Sequence, residues 1–342
     1  MVADGINGVD LSVVIKDMGR RYSRSDLAVS ASKLLLNDFF GGWTEEDQSI
    51  LQRYAFSDGL FPAHGELIDF IGVKTDLRNH AWISVPPNGG IHHGDIPIPD
   101  DQVHAEAIEY IALFMALERA QRQNPASFNC LELGSSYGPW LVAAGVLAKR
   151  MGFSSIDLTG VEATPSGVAR MTEHASRNGL TEDSSIILRP LHAAVYHEDA
   201  PVYFPKVDVS YDNGAQISER VSEKDYRGVE LEYETVDGLS LKSLTAHLDR
   251  VDYLHMDLQG TEKSLLENDE FVQVLNDKVA VLFIATQSRL IEGIALDTFS
   301  RNNWIIKRER PTIFAQNDRT SDVNGWTLRD GGQLWFNSKF NV

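Results

Sequence analysis

The sequence is poor in cysteine, in positive charge and in long apolar runs. Its 342 residues include one cysteine, Cys130, which excludes an internal disulfide and a cysteine-built metal site. No apolar stretch is long enough to span a bilayer, and the first residues lack the basic and apolar regions of a secretory signal. The simplest expected location is therefore the cytoplasm.

Positive charge is scarce, because 31 Lys and Arg residues stand against 49 Asp and Glu residues and leave a net charge of −18. A phosphate backbone is bound by concentrated cations, so we predict that nucleic acid is not a partner. Attachment to an anionic membrane surface is disfavoured for the same reason. A neutral or cationic small-molecule acceptor fits this balance, and homo-oligomerisation is left open.

Residues 1–100 show no alternation of strands and helices and are predicted to form an N-terminal helical and lid extension. Helices are predicted over Ser25–Phe40 and from a capped start at Thr44 to about Tyr54. A tract rich in proline and glycine follows and contains His92, His93 and Asp95. A long loop tract in a compact protein is either disordered or a functional lid, and we favour an ordered lid.

Residues 101–342 are predicted to form one α/β domain. After a long helix over Asp101–Arg122, apolar runs typical of strands alternate with helical stretches, which predicts a mostly parallel sheet. The predicted strands are Phe128–Leu133, Ile156–Val161, Ile186–Leu188, Val251–Met256 and Val279–Ala285, and the predicted helices are Trp140–Met151, Pro165–Asn178 and Glu262–Asn276. Trp304–Arg308 and Gln333–Phe336 are predicted to pair as a hairpin at the sheet edge.

Two acids lie at the carboxyl ends of the first two strands of this domain. Glu132 precedes a turn that contains Gly134 and Gly138, and Glu162 ends the second strand. In open parallel sheets ligands bind at the carboxyl ends of the strands, where an acid after the second strand can accept hydrogen bonds from ribose hydroxyls. Because a carboxylate at position 132 would repel a pyrophosphate, the pattern predicts a nucleoside with a cationic far end. S-adenosylmethionine fits this description better than NAD does.

The segment around residue 255 is the most unusual. His255 and Asp257 are spaced i, i+2 on an apolar strand, so strand alternation places both side chains on one face near the ligand crevice. A histidine beside a carboxylate can act as a general base for a hydroxyl, and His93 of the lid is a second candidate. The alternative is that Asp257 only orients the cofactor while His255 is a core residue.

Three segments carry a resemblance to a known family. These segments resemble the corresponding motifs of FkbM-type methyltransferases, and the resemblance extends over roughly residues 128–340. The segments are LELGSSYGPW, GVEATPSGVARMTEHASRNGL and VDYLHMDLQGTEKSLL. The resemblance implies a class I, Rossmann-like fold with a mostly parallel seven-stranded sheet. It also implies S-adenosylmethionine as cofactor and O-methylation of a hydroxyl on a sugar, a glycan or a glycosylated natural product.

The resemblance also implies roles for individual residues. Asp257 would lie beside the methyl donor, Glu162 would bind the ribose, and the turn would hold the methionine part through Glu132, Gly134, Ser135, Ser136, Tyr137, Gly138 and Trp140. His192 and Ala193 would border the adenine. The substrate side is assigned to Gln259, Glu262 and Gln287. His255 stands where the family more commonly has Lys, and Gln259 where it more commonly has Glu.

A divalent metal would need ligands such as His92, His93 and Asp95 together with Asp257 and Glu262. Adjacent histidines are poorly placed to bind one ion, so a metal site is not favoured. Two other functions are compatible with the same fold: a nucleotide-dependent oxidoreductase and a non-catalytic S-adenosylmethionine-binding protein. The missing second loop glycine argues against the first, and the pair His255 and Asp257 argues against the second.

Overall fold

The computed structural model describes residues 44–56, 59–80, 83, 89–94, 96, 105–207, 214–218, 232–316, 318 and 323–340. The predicted helix Ser25–Phe40, the residue Asp95 and the first four residues of the predicted helix Asp101–Arg122 lie outside these ranges. In the described part no helix is long and apolar enough to cross a membrane.

The described N-terminal residues form one helix and a small sheet. Helix α1 (Glu45–Tyr54) begins as predicted, because the buried Asp47 carboxylate accepts a hydrogen bond from the Thr44 amide at 2.7 Å. Strands β1 (Glu66–Asp69), β2 (Lys74–Asp76) and β3 (Ile91–His93) form a sheet of order β2-β1-β3. This sheet was not predicted, since strands of three or four residues carry almost no periodic signal.

The following elements alternate between helix and strand. They are α2 (Ala107–Gln123), β4 (Ser127–Leu133), α3 (Pro139–Arg150), β5 (Ser155–Glu162), α4 (Pro165–Arg177), β6 (Ile186–His192), β7 (Ala194–Val195), β8 (Pro201–Pro205) and β9 (Tyr233–Leu239). They continue with α5 (Leu241–Leu244), β10 (Tyr253–Met256), α6 (Glu262–Leu266), α7 (Asp269–Lys278), β11 (Val281–Thr286), α8 (Arg289–Arg301), β12 (Trp304–Arg310), β13 (Ile313–Phe314), β14 (Thr327–Arg329) and β15 (Gly331–Asn337).

The main sheet has the strand order β12-β15-β11-β10-β4-β5-β6. Its strands are parallel except β15, which runs antiparallel to both β11 and β12. Seven strands in this order with one reversed strand are the class I, Rossmann-like methyltransferase fold, so the predicted fold class is confirmed. The predicted terminal hairpin exists as the pair β12 and β15, with β12 at the edge and β15 inside the sheet.

Two local predictions differ from the structure. The predicted helix Glu262–Asn276 is two helices, because the Asn268 side chain accepts a hydrogen bond from the Phe271 amide at 2.9 Å and starts α7 afresh. In addition, β7, β8 and β9 form a second small sheet, of order β7-β9-β8, between β6 and α5. This sheet forms a wall of the site described below.

Alternation along β10 divides the core between the two faces of the main sheet. Tyr253 points into the cluster that contains α2 and α3, whereas Leu254 points into the cluster that contains α7 and α8. Ile50 of α1 and Phe70 beside β1 belong to the first cluster. The described part of the predicted extension therefore shares the core of the α/β domain.

One buried ion pair joins the first helix to the edge of the main sheet. Asp47 of α1 is fully buried, and the Arg308 guanidinium of β12 binds its carboxylate at 2.8 Å. The same carboxylate also accepts hydrogen bonds from Thr44 and from the Arg308 Nε. The negative charge of Asp47 is thus balanced by Arg308 and further stabilised by the Thr44 amide.

Candidate active site

A cavity lined by described residues lies at the carboxyl ends of β4, β5, β6 and β10. Its volume, including space open to solvent, is about 570 Å3. The residues that line it and that the sequence singled out are Gly134, Ser136, Glu162, Ala193, Asp257 and Gln259. Its other wall comes from the second small sheet and the segment beside it, including Val195, Phe204, Gln216 and Ile217. We call this space the main cavity.

Backbone strain is concentrated around the main cavity. Gly134 has φ +77°, and a Cβ atom there would collide with the carbonyl oxygen of Asp257. Ser136 and Gln259, which also line the cavity, adopt left-handed φ values of 47° and 56° without being glycine. Such conformations persist where the surrounding structure holds them, and they cluster at ligand sites.

Glu162 lines the main cavity and links the turn after β4 to the residues after β5. Its carboxylate accepts hydrogen bonds from the Ser136 amide at 2.8 Å, the Thr164 amide at 2.8 Å and the Thr164 hydroxyl at 2.7 Å. Burial raises the pKa of Glu162, and these hydrogen bonds act in the opposite direction. The acid is therefore held in one orientation at the end of β5.

Glu132 does not line the main cavity, in contrast to its predicted place beside the ligand. It is buried, and its carboxylate accepts hydrogen bonds from the amides of Trp140 at 3.2 Å and Leu141 at 2.8 Å. Burial raises the pKa of Glu132 to about 8. The first amides of a helix have no partner within the helix, and here the Glu132 carboxylate accepts their hydrogen bonds and stabilises the start of α3.

The other residues of the glycine turn separate into two groups. Ser135 is buried, with its hydroxyl donating to the Glu132 carbonyl at 2.7 Å, and Gly138 precedes α3 with φ +71°. Tyr137 and Trp140 instead line a smaller cavity of about 460 Å3, together with His80 and His174. Beyond the turn, exposed His192 donates from Nε2 to the Ala163 carbonyl at 3.0 Å.

Asp257 lines the main cavity and is held by two neutral side chains. Its Oδ1 accepts hydrogen bonds from Gln259 Nε2 at 2.7 Å and from Gln287 Nε2 at 2.8 Å. Burial, followed by the charges of Asp330 and Glu262, raises the pKa of Asp257 well above its usual range. Gln287 is 2% exposed and does not line the main cavity.

Glu262, predicted to lie on the substrate side, is enclosed by its own turn. Glu262 is fully buried, and its carboxylate accepts hydrogen bonds from the amides of Leu258 at 2.5 Å and Gly260 at 2.8 Å. Burial raises the pKa of Glu262 to about 7. The side chain therefore closes the turn after Asp257.

His255 lies beneath α2 and lines neither cavity. It is 3% exposed and stacks between Trp140 and Phe283, with ring centroids 5.4 and 5.2 Å away. Its Nε2 lies 3.3 Å from Glu109 Oε1, and its buried Nδ1 has no hydrogen-bond partner among the described residues. Glu109 was missed by the sequence analysis because it precedes His255 by 146 residues and belongs to no motif.

The lid histidine, His93, belongs to the small N-terminal sheet. His93 ends β3 opposite Asp69 and lowers the pKa of His80, after the larger effect of burial on His80. It is not among the residues that line the main cavity. Of the residues with described positions, no three His, Cys, Asp or Glu side chains are grouped so as to hold a metal ion.

Fold and site together define a class I methyltransferase-type domain with a cavity at the carboxyl edge of its sheet. No family model matches the sequence. A curated protein of Jannaschia sp. (strain CCS1), named "Putative methyltransferase", is 28% identical over 265 residues. The match spans 75% of this chain and 88% of that protein. Similarity in sequence and in fold thus agree on a methyltransferase.

Solved structures with a similar fold are distant in sequence. Ribosomal protein L11 methylase from Lactobacillus delbrueckii subsp. bulgaricus is 11% identical, with 75% of this chain and 90% of that chain covered and a TM-score of 0.31. Precorrin-6y C5,15-methyltransferase from Geobacter metallireducens GS-15 is 8% identical, with 69% and 90% covered and a TM-score of 0.35. The likeness of these two structures to this chain concerns the fold alone.

The prediction that nucleic acid is not a partner is contradicted by the same comparison and is withdrawn. The hMettl16 catalytic domain in complex with MAT2A 3'UTR hairpin 1 is 6% identical, with 70% of this chain and 72% of that chain covered and a TM-score of 0.36. The prediction used net charge, which is a property of the whole surface. Binding of nucleic acid depends on where cations are concentrated locally, so net charge alone excludes nothing.

Proposed function

We propose that this protein is an S-adenosylmethionine-dependent O-methyltransferase acting on a hydroxyl of a sugar, a glycan or a glycosylated natural product. The observation that carries the proposal is the main cavity, in which the Gly134 turn, the Glu162 carboxylate and Asp257 face one space. The motifs that resemble FkbM-type methyltransferases lie at these positions. The acceptor class is taken from that resemblance.

The residues of the main cavity fit an adenosine with a cationic far end. Glu162 Oε1 accepts two hydrogen bonds from Thr164, whereas Oε2 accepts one, from the Ser136 amide, and has a further lone pair for a ribose hydroxyl. Ala163 and Ala193 offer small apolar sides for a base, and Asp257 supplies negative charge near the Gly134 turn. When bound there, S-adenosylmethionine would supply an activated methyl group. The protein would then orient the acceptor and remove its proton.

His255 is proposed as the base that takes this proton. A carboxylate only accepts hydrogen bonds, so the contact with Glu109 places the proton on Nε2 and leaves the Nδ1 lone pair available. A buried nitrogen without a partner is unfavourable by about 1–3 kcal/mol, and an acceptor hydroxyl would relieve that cost. Glu109 then acts as a positioning residue for the ring.

Calorimetry with S-adenosylmethionine and S-adenosylhomocysteine tests the proposal. We expect both to bind, and Glu162→Gln to weaken them by about tenfold or more, because a charge-assisted hydrogen bond to ribose is lost. Glu182→Gln, at an exposed position after α4, is the matched control and should change nothing. No binding of either compound would refute the proposed function, and binding of NAD(P)H instead would favour the oxidoreductase.

Replacing Gly134 with alanine is expected to weaken binding of S-adenosylmethionine by more than tenfold. The added Cβ must push the turn away from the Asp257 carbonyl, which displaces two residues that line the main cavity. Gly152→Ala provides the control, since Gly152 has a similar φ of +84° with nothing within 4 Å of its Cβ position. Equal affinities of the two variants would show that only the backbone conformation matters.

A further inference from the structure

We propose that the acceptor carries a protonated amine, which binds a group of oxygen acceptors formed by Glu109, Asp257, Gln287 and Asp330. We call this group the carboxylate subsite. The inference rests on the proposed function, because it concerns the acceptor of the same site. It goes beyond it by naming a charged group on that acceptor.

The fold brings these four residues together from four elements. Asp257 follows β10, and Gln287 follows β11 and donates to Asp257 Oδ1 at 2.8 Å. Strand β15 pairs with β11 so that Gly331 lies opposite Thr286, which places Asp330 beside Gln287. Glu109 lies in the first turn of α2, and its charge acts on both Asp257 and Asp330.

The nearby arginines are engaged by a different acid. Arg310 and Arg329 both bind the Glu106 carboxylate, the latter at 2.9 Å. Asp257, by contrast, is met by two amides, which are neutral donors. Asp330 is an exposed residue directly before β15. Desolvation of its carboxyl group, followed by the charges of Glu106 and Glu109, raises its pKa to about 6.

Gln287 supplies an observation that is independent of the acids. Gln287 is 2% exposed, and its Nε2 donates a hydrogen bond to Asp257 Oδ1. The Oε1 atom of that amide has no hydrogen-bond partner among the described residues. A buried oxygen of this kind needs a donor, and it lies in a group that already has more acceptors than donors. An ammonium group carries three donors and a positive charge.

The ammonium of S-adenosylmethionine is a competing occupant, since Asp257 also lines the main cavity. Asp330 separates the two cases, because it does not line that cavity. If the subsite serves the acceptor, removing the Asp330 charge should affect an amine ligand and leave the cofactor unaffected.

The experiment measures binding of matched glycosides by calorimetry to the full chain saturated with S-adenosylhomocysteine. The probes are methyl glucosaminide, with a free amine, and methyl glucoside, with a hydroxyl at the same position. We expect the amine to bind about tenfold more tightly at pH 6.5, and Asp330→Asn to abolish this preference. Asp249→Asn is the control, because Asp249 is exposed and precedes the amino end of β10, whereas Asp257 follows its carboxyl end.

The outcomes separate this inference from the proposed function. Binding of S-adenosylhomocysteine without a preference for the amine overturns the inference alone, whereas no binding of S-adenosylhomocysteine overturns the proposed function. A preference that survives Asp330→Asn also overturns the inference. So does an Asp330→Asn variant that loses S-adenosylhomocysteine affinity as strongly as amine affinity, because the carboxylate would then serve the cofactor.

Discussion

Replacing His255 with alanine is expected to lower turnover by about 10²–10⁴-fold, the usual contribution of a positioned general base. Affinity for S-adenosylmethionine should stay within about twofold, because His255 does not line the main cavity. Turnover is measured as formation of S-adenosylhomocysteine and affinity by calorimetry. The expected split between the two readouts distinguishes a base from a residue that binds the cofactor.

Since His255 stacks between Trp140 and Phe283, the alanine variant also leaves a gap in the core. His255→Gln fills more of that space without a basic nitrogen, and it should lose turnover to the same degree. Glu109→Gln should lose less activity and shift the pH profile of kcat, as expected of a positioning residue. His247→Ala, at an exposed site, is the control. Near-normal turnover of His255→Gln would show that the base lies elsewhere.

Replacing Asp47 with alanine is expected to lower the free energy of unfolding by about 3–5 kcal/mol, the usual effect of removing one partner of a buried ion pair. The variant leaves the Arg308 guanidinium without its carboxylate and removes the acceptor of the Thr44 amide. The Thr44 amide and the Arg308 guanidinium therefore both lose the carboxylate that accepts their hydrogen bonds. Denaturant unfolding followed by circular dichroism gives the change.

Asp297→Ala is the matched control for this stability measurement. Asp297 pairs with Arg301 at 2.5 Å on the exposed face of α8, where such pairs contribute about 0–1 kcal/mol. Adding Arg308→Leu to Asp47→Ala should recover part of the lost stability, because the unpaired buried charge is then absent. A loss of less than 1 kcal/mol in Asp47→Ala would show that Arg308 finds water or another acceptor.

The alternation of strands and helices could be predicted because it depends on local patterns of apolar residues. The predicted strands β4, β5, β10 and β11 agree with the observed ones to within two residues at each end. Asn268, a good N-cap in the middle of a helical pattern, was the available signal for the break between α6 and α7, and it was overlooked.

The site was predictable only where the chain itself turns at the cavity. Glu162 ends a strand, and Gly134 and Asp257 each directly follow one, so the rule for parallel sheets placed all three at one edge of the sheet. That rule does not show which acids accept hydrogen bonds from backbone amides instead of facing the cavity, as Glu132 and Glu262 do. Nor does it show long-range partners, and Glu109 reaches His255 only through the packing of α2 on the sheet.

The place of β15 in the main sheet has a consequence for how the protein is made. Strand β15 follows all other strands in the sequence, yet it lies between β11 and β12. During synthesis, β12 therefore has no neighbour to pair with until residues 331–337 leave the ribosome. The ion pair between Asp47 and Arg308 depends on β12 being held in the sheet, so it can form stably only after β15 has paired with β12. The position of the first described helix therefore depends on the last strand. A nascent chain halted before residue 331 would therefore present unpaired strand edges to chaperones and proteases.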